Sequence, residues 1–282
     1  MDTGGPRFRT IDGLSIRFVE SERAPTQRGD ALLLSPWPES VYAFEAVWSK
    51  LARHAHLIAI DLPGFGRSER RDALMSPRAM GEFIVRAADA FELEKPHVVG
   101  PDVGTAAALF AAALCPKRLR SLVVGTGGAA VPLQLGGNLR DWVEAPSIEP
   151  YRKIDGRQIV TGAMKSLERY TPSEAARADY LESYAGERFA ESIAYVRNYP
   201  AELPVLRDLL PGIALPVLIL NGQRDAVVPP VNAEFLHDRI PNSKLVFLDA
   251  PHFIWEDAAE DYASNVTAWW DAHAPATQGA SP

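Results

Sequence analysis

His97-Val98-Val99-Gly100-Pro101-Asp102-Val103-Gly104 is a short apolar run that enters a Gly-x-Asp-x-Gly turn and leaves it as the Ala-rich helical stretch Thr105 to Leu114. A sharp strand-to-helix turn needs small residues two places either side of its apex, and it presents the apex side chain at the N-terminus of the helix. The apex here is Asp102. The helix dipole and the free N–H groups favour a carboxylate at that position, which keeps it ionised and nucleophilic near neutral pH. The plainer alternative is an Asp that caps a helix N-terminus, a common arrangement.

Outward from this turn the same rhythm recurs. Ala31 to Leu34, Leu57 to Ile60, Leu122 to Val124, Val217 to Leu220 and Leu245 to Leu248 are continuous apolar runs, each followed by a turn and a helical pattern. Runs of this kind suit strands covered on both faces, so the fold class is α/β, a mostly parallel sheet flanked by helices. The rhythm breaks between about Gly127 and Pro211, where charge and Tyr increase and the helical stretches Glu174 to Tyr184 and Gly186 to Asn198 appear. The strand pattern then resumes at Val217. The expected organisation is a core of residues 1–127 and 211–282 with a helical cap, 128–210, inserted between strands. The small, Pro-bearing tail Ala274 to Pro282 is expected to fray.

The 282 residues carry 29 Lys plus Arg against 36 Asp plus Glu, a formal charge of −7 with no basic stripe, which argues against nucleic acid and anionic membrane as partners. Cys115 is the only cysteine, so no intrachain disulfide or Cys-cluster metal site can form, and its expected role is helix packing. No apolar segment follows a basic start at the N-terminus, and a cytoplasmic location is the expectation. The longest near-apolar run, Val103 to Cys115, is far short of the roughly 20 residues needed to cross a bilayer. A homodimer is compatible with this composition.

Five segments in order resemble the α/β-hydrolase fold superfamily, specifically its Asp-nucleophile branch of epoxide hydrolases and haloalkane dehalogenases. They are Ser35-Pro36-Trp37-Pro38, where the family usually has His-Gly-x-Pro; Asp61-Leu62-Pro63-Gly64-Phe65-Gly66-Arg67-Ser68; the turn at Asp102; Asn221-Gly222-Gln223-Arg224-Asp225; and Ala250-Pro251-His252-Phe253. The resemblance covers nearly the whole chain. A carboxylate nucleophile forms an alkyl ester, and cleaving that ester takes a water activated by a His that a second carboxylate orients. His252 and Asp225 are the candidates: His252 alone of the six histidines lies in a turn after a strand. Some relatives carry the acid one strand earlier, but Gly125-Thr126-Gly127-Gly128 offers no carboxylate there. The other reading of Asp225 is a turn cap ahead of Pro229-Pro230.

By resemblance, the oxyanion hole consists of the backbone N–H groups of Trp37 and Val103, and the Trp37-Pro38 bond is cis. The glycines of Asp61 to Ser68 serve a tight turn and are given no chemistry. No metal or other cofactor is expected. Val103 stands where dehalogenases place a Trp to hold halide, and the cap contains Tyr151, Tyr170, Tyr180, Tyr184, Tyr195 and Tyr199. Epoxide hydrolases protonate the leaving oxygen with cap tyrosines. Ala194-Tyr195-Val196-Arg197-Asn198 comes nearest to their Tyr-Arg signature, with Val196 where Tyr is usual, so Tyr195 or Tyr199 is assigned that role. The expected activity is hydrolysis of an apolar small molecule, an epoxide to a diol, through an Asp102 ester. The alternatives are a dehalogenase that uses Trp37 or Trp142 as halide donors, and a non-hydrolytic cyclase, lyase or binding protein on the same fold.

Overall fold

All six apolar runs become strands of one sheet in the computed structural model, which describes residues 5–274. They are β3 (Asp30–Leu34), β4 (His56–Ile60), β5 (His97–Pro101), β6 (Ser121–Gly125), β7 (Val217–Gly222) and β8 (Ser243–Leu248). Two strands not expected from the sequence, β1 (Arg7–Ile11) and β2 (Leu14–Glu20), extend the sheet as an antiparallel hairpin. The sheet order is β1-β2-β4-β3-β5-β6-β7-β8, and every pair from β4 to β8 is parallel. The expected α/β-hydrolase architecture is therefore present.

Alternate residues of each central strand face opposite ways, as the two-residue period of a strand requires. Leu32, Leu34, Val98, Leu122, Val124 and Ile219 join one core. Ala31, Leu33, Val99, Val123, Leu218 and Leu220 join the other. The helices are α1 (Glu45–Leu51), α2 (Pro77–Ala90), α3 (Val103–Leu114), α4 (Gly137–Glu144), α5 (Glu149–Arg152), α6 (Gly156–Met164), α7 (Glu174–Ser183), α8 (Arg188–Val196), α9 (Tyr199–Leu209), α10 (Val231–His237), α11 (Ile254–Asp257) and α12 (Ala259–Ala272). Phe83 and Ile84 of α2 and Leu109 and Phe110 of α3 cover the first face. Trp48 of α1 and Val266 and Trp270 of α12 cover the second. Cys115 lies just past α3, half-buried and free.

Helices α4 to α9 lie between β6 and β7, where the sequence places its insertion. Polar contacts tie them to the core. Arg17 of β2, buried to 2% exposure, sends Nη1 and Nη2 to the Asp179 carboxylate of α7 at 2.9 and 2.7 Å, while its Nε lies 2.7 Å from Asp61. Ser40 donates to the same Asp179 oxygen at 2.6 Å. Asp257 of α11 accepts the backbone N–H groups of Glu168, Arg169 and Tyr170 at 2.8 to 3.0 Å. No helix among the described residues is long and apolar enough to cross a membrane. The tail beyond Ala274 lies outside the described residues.

Candidate active site

Asp102 sits between β5 and α3 with φ 52° and ψ −122°, a conformation that costs a non-glycine residue free energy. The turn is tight enough that a Cβ on Gly100 would stand 2.7 Å from the Gly104 carbonyl oxygen, which explains the glycine two places before the apex. The carboxylate makes no side-chain capping hydrogen bond, so the helix-cap alternative does not describe it. Its Oδ2 instead accepts the Trp37 N–H at 2.7 Å, and the neighbouring Val103 N–H favours its charged form. The two backbone donors expected to form an oxyanion hole thus converge on Asp102. The Trp37-Pro38 peptide is cis. Ser35, which replaces the His usual in the family, is fully buried with an unpartnered Oγ.

His252 follows β8 and faces Asp102 across 3.7 Å, measured from Nε2 to the Oδ1 that Trp37 leaves unbound. On the other side of the ring Nδ1 lies 2.8 Å from Asp225 Oδ2. Asp225 Oδ1 accepts the N–H groups of Val227 and Val228 at 2.9 and 2.8 Å. Both readings of Asp225 therefore apply: one oxygen pins the turn and the other orients the imidazole. Burial pushes the Asp102 carboxyl up to about 6, an effect that His252 and the two N–H donors limit. Burial opposes a charged His252, but the Asp225 carboxylate outweighs it, and Asp102 adds to the same effect, so the imidazole pKa is raised. Near neutral pH the Asp102 carboxyl is therefore largely ionised, and His252 is held in one orientation by Asp225.

The two tyrosines assigned to the leaving group behave differently. Tyr195 is fully buried and its hydroxyl donates to the Val103 carbonyl at 2.8 Å, while its ring packs edge-on against Phe65. This corrects the expectation for Tyr195: α8 turns it toward the back of the elbow, where it braces Val103. Tyr199 packs edge-on against it, and among the described residues its hydroxyl has no hydrogen-bond partner. Burial and the nearby Asp102 charge hold the Tyr199 hydroxyl well above its usual pKa. Neither ring lines the cavity of about 380 Å³ that opens over Asp102 and His252.

Sequence reasoning missed a second carboxyl pair beside the site. Glu39 follows Pro38 on the Trp37 loop, and Glu256 follows His252 by four residues. Both are buried, with Trp255 Nε1 donating to Glu39 at 2.9 Å and the Tyr180 hydroxyl to Glu256 at 3.1 Å. Burial and mutual repulsion raise Glu39 well above the usual carboxyl range, and burial lifts Glu256 to about 7. The two acids lie where the Trp37 loop, the His252 loop and cap helix α7 meet, through Trp255 and Tyr180. The signal available in the sequence was an acid one residue past Pro38, which only the fold pairs with Glu256.

A carboxylate on a strand-to-helix elbow, a second acid after β7 and a His after β8, all at the carboxyl edge of the parallel strands, are the arrangement of an α/β-hydrolase. Residues 32–259 match the family described as alpha/beta hydrolase fold, and the chain belongs to it. The 2-hydroxymuconate semialdehyde hydrolase of Pseudomonas sp. (strain CF600) is 30% identical over 230 residues, 78% of this chain and 78% of that protein. The pimeloyl-[acyl-carrier protein] methyl ester esterase of Aeromonas salmonicida (strain A449) is 27% identical over 241 residues, 79% of this chain and 87% of its own. Among solved structures, the epoxide hydrolase CorEH superposes with a TM-score of 0.77 at 18% identity, covering 95% of this chain and 99% of its own, a likeness of fold.

Proposed function

We propose that this enzyme hydrolyses an apolar small molecule through an alkyl ester on Asp102, and that the substrate is an epoxide opened to a diol. The observation that carries this reading is the division of labour on the Asp102 carboxylate. Oδ2 is held by the Trp37 N–H at 2.7 Å, and Oδ1 faces His252 without a hydrogen bond. Oδ1 attacks an epoxide carbon, the C–O bond breaks, and the leaving oxygen takes a proton from a buried acid. Tyr199 is assigned that proton, since its hydroxyl is uncommitted and Asp102 lies within its electrostatic reach. His252 then removes a proton from water, and the hydroxide adds to the ester carbonyl carbon. The Trp37 and Val103 N–H groups stabilise the oxyanion on Oδ2. Collapse breaks the acyl C–Oδ1 bond, the departing alkoxide takes the proton held on His252 to give the diol, and the new Asp102 carboxyl group loses its proton, through solvent, to the Tyr199 phenolate, which restores the carboxylate.

A dehalogenase reading also has an observation in its favour: the Trp37 indole N–H is buried without a partner, and Trp142 packs edge-on to it at 5.1 Å on the cavity wall. The His252→Gln variant tests the ester mechanism. Ester formation needs no base, whereas hydrolysis does, so the variant accumulates an Asp102 adduct visible by intact-protein mass spectrometry. A folded variant that forms no adduct from any epoxide or haloalkane removes the mechanism. Halide in the medium in place of diol moves the assignment to dehalogenation.

A further inference from the structure

The cavity over Asp102 has a charge pattern and an opening that define what enters it. Its floor is the buried pair Asp102 and His252, and its walls include Leu139, Trp142 and Ile159. Asn138, Gln158 and Ser166 form an exposed, uncharged polar rim. Among the described residues no Lys or Arg lines it. A carboxylate inside would face the Asp102 anion with only His252 as a counter-charge, already committed to Asp225, and would lose its water with the Trp37 indole N–H as the one buried donor, among the described lining residues, free to replace it. The cavity of about 380 Å³ is open at this rim, so a long substrate extends through it toward solvent.

At that rim α6 carries Gly162, solvent-exposed and inside a helix, where Gly is less favourable than Ala. Close packing does not demand it, because a Cβ built there meets nothing within 4 Å. Its φ is ordinary for a helix, so no left-handed conformation demands it either. What the missing side chain does is leave open the space in front of the cavity mouth.

We propose that the cavity admits uncharged substrates and excludes carboxylates, and that Gly162 sets how far a substrate can extend past the rim. This rests on the reading of the cavity as the substrate site but not on which bond is broken, and the test separates the two. The probes are inert amides, phenylacetamide as the short one and biphenylylacetamide as the long one, with phenylacetate as the anionic isostere, measured by calorimetry. In the wild type phenylacetamide binds at least tenfold more tightly than phenylacetate. In Gly162→Phe the affinity for biphenylylacetamide relative to phenylacetamide falls at least tenfold, and Gly162→Ala, which adds only the unopposed Cβ, falls between that and wild type. Equal affinity for phenylacetate, an unchanged long-to-short ratio in Gly162→Phe, or no amide binding overturns the proposal. Epoxide chemistry is followed separately: the expected binding pattern with no diol from styrene oxide in the wild type and no adduct on Asp102 in His252→Gln leaves the channel standing and removes the epoxide reading.

Discussion

Asp102 is a destabilising residue in the fold it serves. Burial raises its carboxyl from 3.8 to about 6, so the folded state holds a proton more tightly than the unfolded chain. Stability is therefore fully present below about pH 4, is lost as pH rises toward 6, and stays reduced above it. Asp102→Asn removes the charge while an Asn tolerates positive φ. The expected gain above pH 6 is up to about 3 kcal/mol, the free energy of roughly two pKa units. It should vanish near pH 4; denaturant titrations at both pH values that show no difference in the gain would contradict this. The two cap tyrosines separate by a similar argument. Tyr199→Phe should cost about 10²-fold in ester formation with little change in melting temperature. Tyr195→Phe should leave the Val103 carbonyl without its donor and cost about 1 kcal/mol of stability. Rapid-quench measurement of the ester and thermal unfolding of both variants would expose a reversed pattern. Asp102, Asp225 and His252 were legible in the sequence because each sits in a turn of limited residue choice. The orientation of Tyr195 was not, because one step along α8 rotates a side chain by 100° and the sequence does not fix which face of that helix meets the elbow.

At the scale of elements, the buried strands were readable because a strand covered on both faces leaves an unbroken apolar run. The hairpin was not: Arg7–Ile11 is almost wholly exposed at the sheet edge, and Leu14–Glu20 carries Arg17 in its middle. That arginine looks out of place until α7 is present, since its partner Asp179 is 162 residues away. The bidentate pair, with Asp61 on the remaining nitrogen, fixes the cap to the hairpin side of the sheet. Asp179→Asn leaves the buried guanidinium with half its charge compensation. Breaking a buried pair costs about 3–5 kcal/mol. A loss toward the lower end is expected, because Asp61 stays. A companion Arg17→Met, Asp61→Asn, Asp179→Leu triple variant, which removes all three buried charges, should recover a large part of the loss if charge desolvation is the cause. A triple variant less stable than Asp179→Asn would show that the group supplies more than neutralisation.

Across the whole molecule, loops from β3, β5, β7 and β8 bring Trp37, Asp102, Asp225 and His252 together, and the titrations of Asp102 and His252 are linked across 3.7 Å. Ester formation needs ionised Asp102, so it fails as pH drops through about 6. Ester hydrolysis needs neutral His252, whose pKa stands above 6.5 chiefly through the Asp225 carboxylate. Esterification cancels the Asp102 charge and with it the smaller of these raising effects, while Asp225 remains 2.8 Å from Nδ1. Lowering the pH therefore slows hydrolysis before it slows ester formation. The fraction of enzyme held as the Asp102 ester at steady state should rise as pH falls from about 8 to about 6.5, then decline below about 6 as the nucleophile takes up its proton. Acid quench followed by intact-mass measurement across this range gives the fraction directly. An ester fraction that grows toward high pH would mean that something other than His252 limits hydrolysis, and would reassign the base.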